Sequence, residues 1–333
     1  VPSLPPATAP TGATQLVRVR TDVLDAHIDI NGGDIVYAAL PQHATSLETP
    51  DRPSVLLQQD KVRTYVAQSG LIGRDGTDTA AGRPRYSVAA ESFTLAEGQN
   101  DLVVELQYET EQHVQIRKRY LFTRGQYLVG VNYRIDNLSE KPWQGALFGQ
   151  LKRDGSDEPN VVPGGLGIHS YLGAAAPTTE TTYEKLKFGD FADKPFDQTL
   201  TGGWIGIIQH YFLSAWVPDQ KSQNRLTTVL TGDKMHIVRF TAPTQDIAAG
   251  SSGEFNAQLY AGPKDQYVLR DIAPGLELSV DYGVLWMIAQ PIFWLLTKIH
   301  SYLGNWGWSI VIVTLFVKIL FFWLNAKAYV SMV

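Results

Sequence analysis

The feature that most constrains this chain is a run of apolar residues over 306–324, near its carboxyl-terminal end. From position 308 onward the run holds three polar side chains, Ser309, Thr314 and Lys318. A helix rises 1.5 Å per residue, so a run of this length crosses the roughly 30 Å of a bilayer's hydrocarbon core. The sequence therefore predicts a transmembrane helix over 305–327.

The residues at the ends of this segment fit the two membrane interfaces. Trp306 and Trp308 suit one interface, and Lys327 suits the other. Lys318 lies between them, about 15 Å past Trp308 along a helix. A lysine at that depth costs roughly 3 kcal/mol on insertion scales.

Two interpretations of Lys318 stay open. Its stem can snorkel toward the interface without functional consequence. Alternatively, Thr314, Lys318 and Asn325, spaced by four and seven residues, form one polar stripe that faces a hydrated groove. The stripe favours the groove, which helices outside this chain would have to complete.

A second apolar segment, over 280–304, precedes the predicted span. Its polar residues Gln290, Thr297 and Ser301 fall within about 20° of one another on a helix. A helix with a narrow polar face and flanking aromatic residues such as Trp286 and Trp294 is typical of the membrane interface. A core helix of the preceding domain is the alternative. We predict an interfacial amphipathic helix anchored by these two tryptophans.

In the part of the chain that precedes these two segments, apolar and polar residues alternate with period two. Residues 102–108 and 127–135 alternate apolar and polar side chains, and Gly- and Asp-rich turns separate such runs. This pattern predicts an antiparallel β-sandwich over 15–279. Residues 1–14 have the composition of a Pro-rich linker. Long loops are expected over 77–84 and 154–182, and a short helix over 265–272.

Composition and motifs argue against several functions. A net charge of −5 disfavours nucleic acid as a partner, and the chain has no cysteine. The basic run over 117–119 is expected to be a solvated strand face. The seven histidines form no metal-spaced pair, so we predict no catalysis, no metal and no cofactor. They are His27, His43, His113, His169, His210, His236 and His300.

Several ordered motifs resemble one family, the YidC/Oxa membrane protein insertases, in its Gram-negative form. No single motif is decisive, but their order ahead of a predicted spanning helix is specific. They are QSGLIGRDG (68–76), LAEGQN (95–100), FGQLK (148–152), YEKLKF (183–188), GGWIGIIQHYFLSAWVP (202–218) and VDYGVLWMIAQPIFWLLTKIHSYLGNWGWS (280–309), with Thr21–Asp25 and Gly32-Gly33-Asp34 before them.

The resemblance implies that the β-region is a periplasmic β-supersandwich similar to galactose mutarotases, in a multi-pass protein of the bacterial inner membrane. Residues 1–304 would be periplasmic and 328–333 would begin a cytoplasmic region. Further transmembrane helices would lie before Val1 and after Val333. The family inserts and folds nascent membrane proteins, alone or with the Sec translocon and SecDF, and receives them from the ribosome. Lys318 stands where the family usually has arginine, and Trp323 where it often has proline.

Two other functions remain open from the residues alone. The β-region's implied likeness to sugar-processing domains allows a membrane-anchored carbohydrate enzyme or sugar-binding module. Alternatively, the β-region recruits partners and the helices merely anchor it. Trp204, Tyr211, Phe212 and Trp216 could line a cleft for a peptide or glycan, although we expect them in the core.

Overall fold

The computed structural model describes residues 15–46, 48–156, 171–280 and 286–330, with side chains of the last range described over 287–322. The predicted linker over 1–14 lies outside these residues. The chain divides after Ser279 into two compact units. The first is mainly β, as predicted, and the second is helical.

Two large sheets build the first unit. An eleven-stranded sheet contains β1 (Leu16–Arg20), β2 (Asp25–Asp29), β3 (Asp34–Ser46), β4 (Thr49–Gln59), β5 (Thr64–Ile72), β7 (Ser92–Thr94), β11 (Trp143–Arg153), β14 (Asp197–Thr201), β17 (Gln223–Leu230), β18 (His236–Thr241) and β19 (Gln245–Ile247). Its order is β14-β17-β18-β11-β5-β4-β3-β2-β1-β7, with β19 paired to β11. The pairing of β1 with β7 is parallel.

The second sheet has nine strands in the order β13-β12-β15-β16-β20-β10-β9-β8-β6. They are β6 (Ser87–Val88), β8 (Asp101–Glu109), β9 (Val114–Thr123), β10 (Leu128–Asn137), β12 (Gly173–Ala176), β13 (Glu184–Leu186), β15 (Ile205–Ile208), β16 (Phe212–Pro218) and β20 (Ser252–Pro263).

Alternation along the strands creates the core. In β9 the residues Ile116, Tyr120 and Phe122 are buried, while Leu121 between two of them is exposed. Burying one face of every strand supplies the main stabilising term of such a domain, at about 25 cal/mol per Å² of apolar surface. Trp204 and Trp216 are fully buried, as expected, whereas Tyr211 is 70% exposed.

One strand lies where a loop was expected. β12 (Gly173–Ala176) lies inside the loop expected over 154–182, and all four of its residues are buried. The prediction was wrong there because a fully buried run of small residues has no alternation to reveal it. Residues 157–170 of that loop lie outside the described part.

A short helix closes the first unit, as predicted. α1 (Gln266–Ile272) begins at Asp265, whose carboxylate accepts hydrogen bonds from the backbone N–H groups of Tyr267 and Val268. This capping satisfies two of the four amide groups that a helix start leaves unpaired. Its buried residue Leu269 packs into a cluster with Trp204 and Tyr260.

A glycine after α1 makes a testable contact. Gly275 has φ +83°, and a Cβ there would lie 2.2 Å from the Thr182 carbonyl oxygen. Gly275→Ala should therefore lower the free energy of unfolding by roughly 3–4 kcal/mol, combining backbone strain and overpacking. Gly250→Ala is the control, because Gly250 has φ +73° but open space around it, and it should cost about 1 kcal/mol. Equal losses in chemical denaturation would contradict the Thr182 contact.

The second unit contains two helices, α2 (Trp286–Leu303) and α3 (Trp306–Val330). α2 begins five residues before Pro291, so the proline lies within the helix. Gly304, at φ +63°, ends α2, and its N–H donates to the His300 carbonyl at 2.8 Å. Asn305 then caps α3 by accepting a hydrogen bond from the Trp308 N–H at 3.2 Å.

Candidate functional site

The predicted polar stripe lies on α3. Thr314 is exposed, and its hydroxyl donates to the Ile310 carbonyl at 2.8 Å. Lys318 is also exposed, and within the described residues its ammonium group has no hydrogen-bond or ion-pair partner. Asn325 lies on the same helix, but its side chain is outside the described part. The Thr314 hydroxyl is thus hydrogen-bonded within its own helix, whereas the Lys318 ammonium has no partner among the described residues.

The remaining surface of α3 is apolar on nearly every side. Three consecutive residues, Ile310, Val311 and Ile312, are each at least 40% exposed, although successive side chains point about 100° apart. Leu315, Phe316, Ile319, Leu320, Phe321 and Phe322 are exposed as well. A helix that is apolar all round needs apolar surroundings. Over the described side chains 306–322 of this helix, Lys318 is the one charged residue on that apolar surface.

In the described part of the chain, no helix combines the length and the hydropathy required of a membrane span. The span predicted over 305–327 includes residues whose side chains are not described, and it stays a prediction.

Three of the four predicted interface anchors are well exposed. Trp294, Trp306 and Trp308 are 55%, 50% and 65% exposed. Trp306 also stacks on His300, with ring centroids 3.7 Å apart and planes 11° apart. The side chain of Trp286 lies outside the described part. An indole has an apolar body and one polar N–H, which suits a membrane interface, so the anchor role is retained as a prediction.

Two hydroxyl groups of α2 donate hydrogen bonds within the helix. Thr297 donates to the Trp294 carbonyl at 2.9 Å, and Ser301 donates to the Lys298 carbonyl at 2.7 Å. Such bonds remove the cost of placing hydroxyl groups in an apolar environment.

Two histidines of the first unit contact different aromatic side chains. The Nε2 atom of His43 lies 3.0 Å from the Tyr127 hydroxyl, whereas His27 stacks on Tyr37 at 4.6 Å. His210 lies in the turn between β15 and β16. Among the described residues, no three metal-ligating side chains converge.

Within the basic run over 117–119, the prediction of a solvated face was wrong for Lys118. Arg117 and Arg119 lie on the outer face and pair with Asp136 and Glu105. Lys118 is fully buried. Its ammonium donates to the carbonyl oxygens of Gly32 at 3.0 Å and Ser69 at 3.1 Å. Period two already placed Lys118 on the same face as the core residues of β9, so the signal was present but overlooked.

Lys118 is part of a buried charge cluster, defined by Asp34, Asp78, Arg83 and Lys118. The Arg83 guanidinium pairs with Asp34 and, through Nε, with Asp78 at 2.5 Å. The Asp78 carboxylate also accepts the Leu71 N–H at 2.9 Å. The cluster ties the turn after β2, strand β5 and the loop before β6 to strand β9 of the other sheet. Two cations and two carboxylates balance there.

The electrostatic environment of the cluster differs strongly from water. Burial lowers the pKa of Lys118 to about 7, and the neighbouring Asp34 carboxylate opposes this shift. The Arg83 guanidinium adds to the lowering.

A chain of hydrogen bonds extends the cluster across the sheet. Arg239 donates to the side-chain Oε1 of Gln150 at 2.7 Å, the Gln150 amide donates to Gln68 Oε1 at 2.8 Å, and the Gln68 amide donates to Asp34 at 2.7 Å. Burial lowers the pKa of Arg239 to about 10. Fixed amide orientations of this kind are characteristic of a rigid core network.

The two units define the class of protein to which this chain belongs. It is a large β-domain followed along the chain by two apolar helices. The profile of the YidC periplasmic domain matches residues 16–295. The membrane protein insertase YidC of Stutzerimonas stutzeri strain A1501 is 50% identical, over 98% of this chain and 58% of its own length. That of Azotobacter vinelandii is 47% identical, over 99% of this chain and 59% of its own length.

Among solved structures, a galactose mutarotase related enzyme from Lactobacillus acidophilus is similar with a TM-score of 0.49. The likeness covers 74% of this chain and 97% of that chain at 11% identity.

The chain belongs to the YidC family, and residues 16–295 correspond to its periplasmic domain. It spans a little under three fifths of the length of these curated relatives.

Proposed function

We propose that this chain is the periplasmic and first membrane-associated part of a membrane protein insertase of the bacterial inner membrane. It would help nascent inner-membrane proteins insert and fold, alone or with the Sec translocon. The curated relatives carry the name membrane protein insertase, which supports this activity. In this proposal α3 spans the bilayer and α2 lies in the periplasmic interface.

One observation carries the proposed mechanism, namely the exposed ammonium of Lys318 on the apolar surface of α3, which has no partner among the described side chains. A charge at mid-bilayer costs roughly 3 kcal/mol or more unless water reaches it. A hydrated groove would remove that cost, and it would also lower the barrier for polar residues of an incoming segment. The polar side chains of Thr314 and Asn325 would extend the hydrated surface of the groove. No covalent step is involved.

Lys318 replaces the family's usual arginine, and this limits the interactions that the groove can offer to a substrate. An ammonium is a compact, strongly hydrated charge, whereas a guanidinium offers a planar fork of donors. The proposed role of Lys318 therefore rests on hydration and on positive charge that attracts acidic or polar parts of a substrate. Lys318→Arg should preserve that role.

The β-domain would be a noncatalytic module that meets accessory partners such as SecDF, while the ribosome would be bound by regions beyond this chain. Incubating the chain with galactose and following anomer exchange tests the enzymatic alternative. Turnover above the buffer rate would contradict the noncatalytic role.

An insertion assay tests the proposed groove. Full-length protein in proteoliposomes should insert a single-span substrate, and Lys318→Leu should reduce insertion by roughly tenfold, because dehydrating the groove returns a barrier of one to a few kcal/mol. Lys318→Arg should retain most activity. Lys298→Leu is the matched control, because Lys298 is an exposed lysine on α2. Equal activity of Lys318→Leu and wild type would refute the groove role.

A further inference from the structure

An exposed apolar surface lies at the carboxyl-terminal end of the β-domain. Tyr211, in the turn between β15 and β16, is 70% exposed, and Tyr267 and Val268 in the first turn of α1 are 37% and 47% exposed. We call these three residues the α1 patch. The chain leaves the domain next to α1, through the 3-10 turn Leu276–Ser279, in which Leu278 is also exposed.

Hydrogen bonds to the backbone hold the α1 patch together. The Lys264 N–H donates to the Tyr211 carbonyl at 3.0 Å, one residue before the N-cap of α1. The N-cap carboxylate, from Asp265, accepts from the N–H groups of Tyr267 at 2.9 Å and Val268 at 3.4 Å. The patch is therefore a fixed surface of the domain.

The charges around the α1 patch balance. Over residues 263–272, Lys264 and Arg270 are matched by Asp265 and Asp271. A neutral surface gains little from the long-range attraction between basic segments and anionic lipids, so its affinity has to come from burying apolar groups. Tyrosine suits the headgroup region of a membrane, because its ring is apolar and its hydroxyl stays hydrated.

The covalent connection limits the distance between this surface and the start of α2. Six residues, 280–285, join Ser279 to Trp286. Even a fully extended chain covers at most about 25 Å over these steps. A short tether gives a roughly millimolar effective concentration. A small apolar surface on the domain therefore suffices for a lasting contact with whatever α2 is embedded in.

We propose that the α1 patch docks on the lipid bilayer, with its three side chains in the headgroup region of the periplasmic leaflet. The contact rests on the proposed function, which places α2 in the periplasmic interface. Docking removes apolar surface of the two tyrosines and the valine from water, and the tether compensates for the small area. It would hold the β-domain in one orientation at the membrane surface.

Fluorescent labels on single cysteines test the contact, since the chain contains no cysteine of its own. Tyr211→Cys and Val268→Cys are labelled, and the full chain is reconstituted in phosphatidylcholine vesicles that carry a nitroxide near the lipid headgroup. Both labels should lose fluorescence relative to nitroxide-free vesicles. The loss should be the same at low and high salt, because the patch is neutral.

Leu138→Cys is the matched control. Leu138 is 59% exposed and follows the end of β10. At the start of that strand Leu128 pairs with Tyr260, which packs in one cluster with Leu269 of α1. Ten residues of strand, or about 33 Å, separate the two ends. The label at position 138 should therefore keep its fluorescence.

A label on α2 separates this contact from the proposed function. Ile288→Cys carries it, because Ile288 is exposed on that helix. If position 288 is quenched while positions 211 and 268 lose no more than position 138, the docking contact is wrong and the placement of α2 stands. If position 288 also keeps its fluorescence, the placement of α2 fails and the docking contact falls with it.

A charge in the α1 patch tests whether the patch itself makes the contact. Tyr211→Glu should remove most of the quenching at position 268, because burying a carboxylate is costly, whereas Leu138→Glu should not. Both substitutions replace exposed side chains, so the fold is retained. Quenching at position 268 that is unchanged by Tyr211→Glu overturns the contact. Fluorescence changes that follow protein density instead of nitroxide identify a second copy of the chain and overturn it too.

Discussion

Replacing Arg83 by methionine is expected to lower the free energy of unfolding by about 3–5 kcal/mol. The variant leaves the carboxylates of Asp34 and Asp78 without their shared cation, although their side chains are only 6% and 1% exposed. Their hydrogen bonds from Gln68 and the Leu71 N–H remain, but these do not neutralise two adjacent negative charges. Chemical denaturation followed by near-ultraviolet circular dichroism measures the loss.

Arg225→Met is a matched control for this experiment. Its partner Asp197 is bound at 2.7 Å, but the two side chains are 43% and 50% exposed. Solvent screening limits such a pair to about 0–1 kcal/mol. A variant that also carries Asp34→Asn and Asp78→Asn should recover much of the loss, since all three groups are then neutral. Equal losses for Arg83→Met and Arg225→Met would show that the buried cluster is not stabilised as described.

Stability should also depend on pH through Lys118. The pKa of this lysine is about 7 in the folded protein and near 10.5 when the chain is unfolded. Between these values the unfolded chain holds a proton that the folded chain lacks, so stability rises with pH. Below pH 7 both states are protonated and the full cost of burying the charge applies. The total change approaches roughly 5 kcal/mol.

Comparison with Lys118→Met isolates this contribution. The free energy of unfolding of the wild type minus that of the variant should increase from pH 6 to pH 10, and most of the increase should fall above pH 7. Other titrating groups are shared by the two proteins and cancel. A difference that is constant over this range would mean that Lys118 stays protonated in the fold, held by the Gly32 and Ser69 carbonyls.

The sequence predicts most of the β-domain because alternation and capping are local signals. Period two located β8 and β10, and the run before Pro274 predicted α1. β12 was missed because four small buried residues carry no alternation. Lys118 was assigned to solvent because its charge was given more weight than its position in β9, although a cation can be buried where carbonyls and carboxylates surround it.

The candidate site on α3 was predictable in part. Spacing placed Thr314 and Lys318 on one stripe, and the structure leaves both side chains exposed on the helix. Whether water reaches them depends on other helices and on the bilayer, which the order of residues along this chain does not encode. The α1 patch was not predictable either, because only the fold brings Tyr211 beside the first turn of α1.

Photocrosslinking from position 318 tests the central claim most directly. A photoreactive residue is placed at Lys318 of the full-length protein in membranes, and ribosomes carry a stalled single-span substrate. The proposed groove predicts a crosslink to the nascent chain from position 318. Leu320, which is 62% exposed and lies about 200° around the helix, should crosslink to lipid instead. Lipid adducts alone from position 318 would contradict the insertase groove.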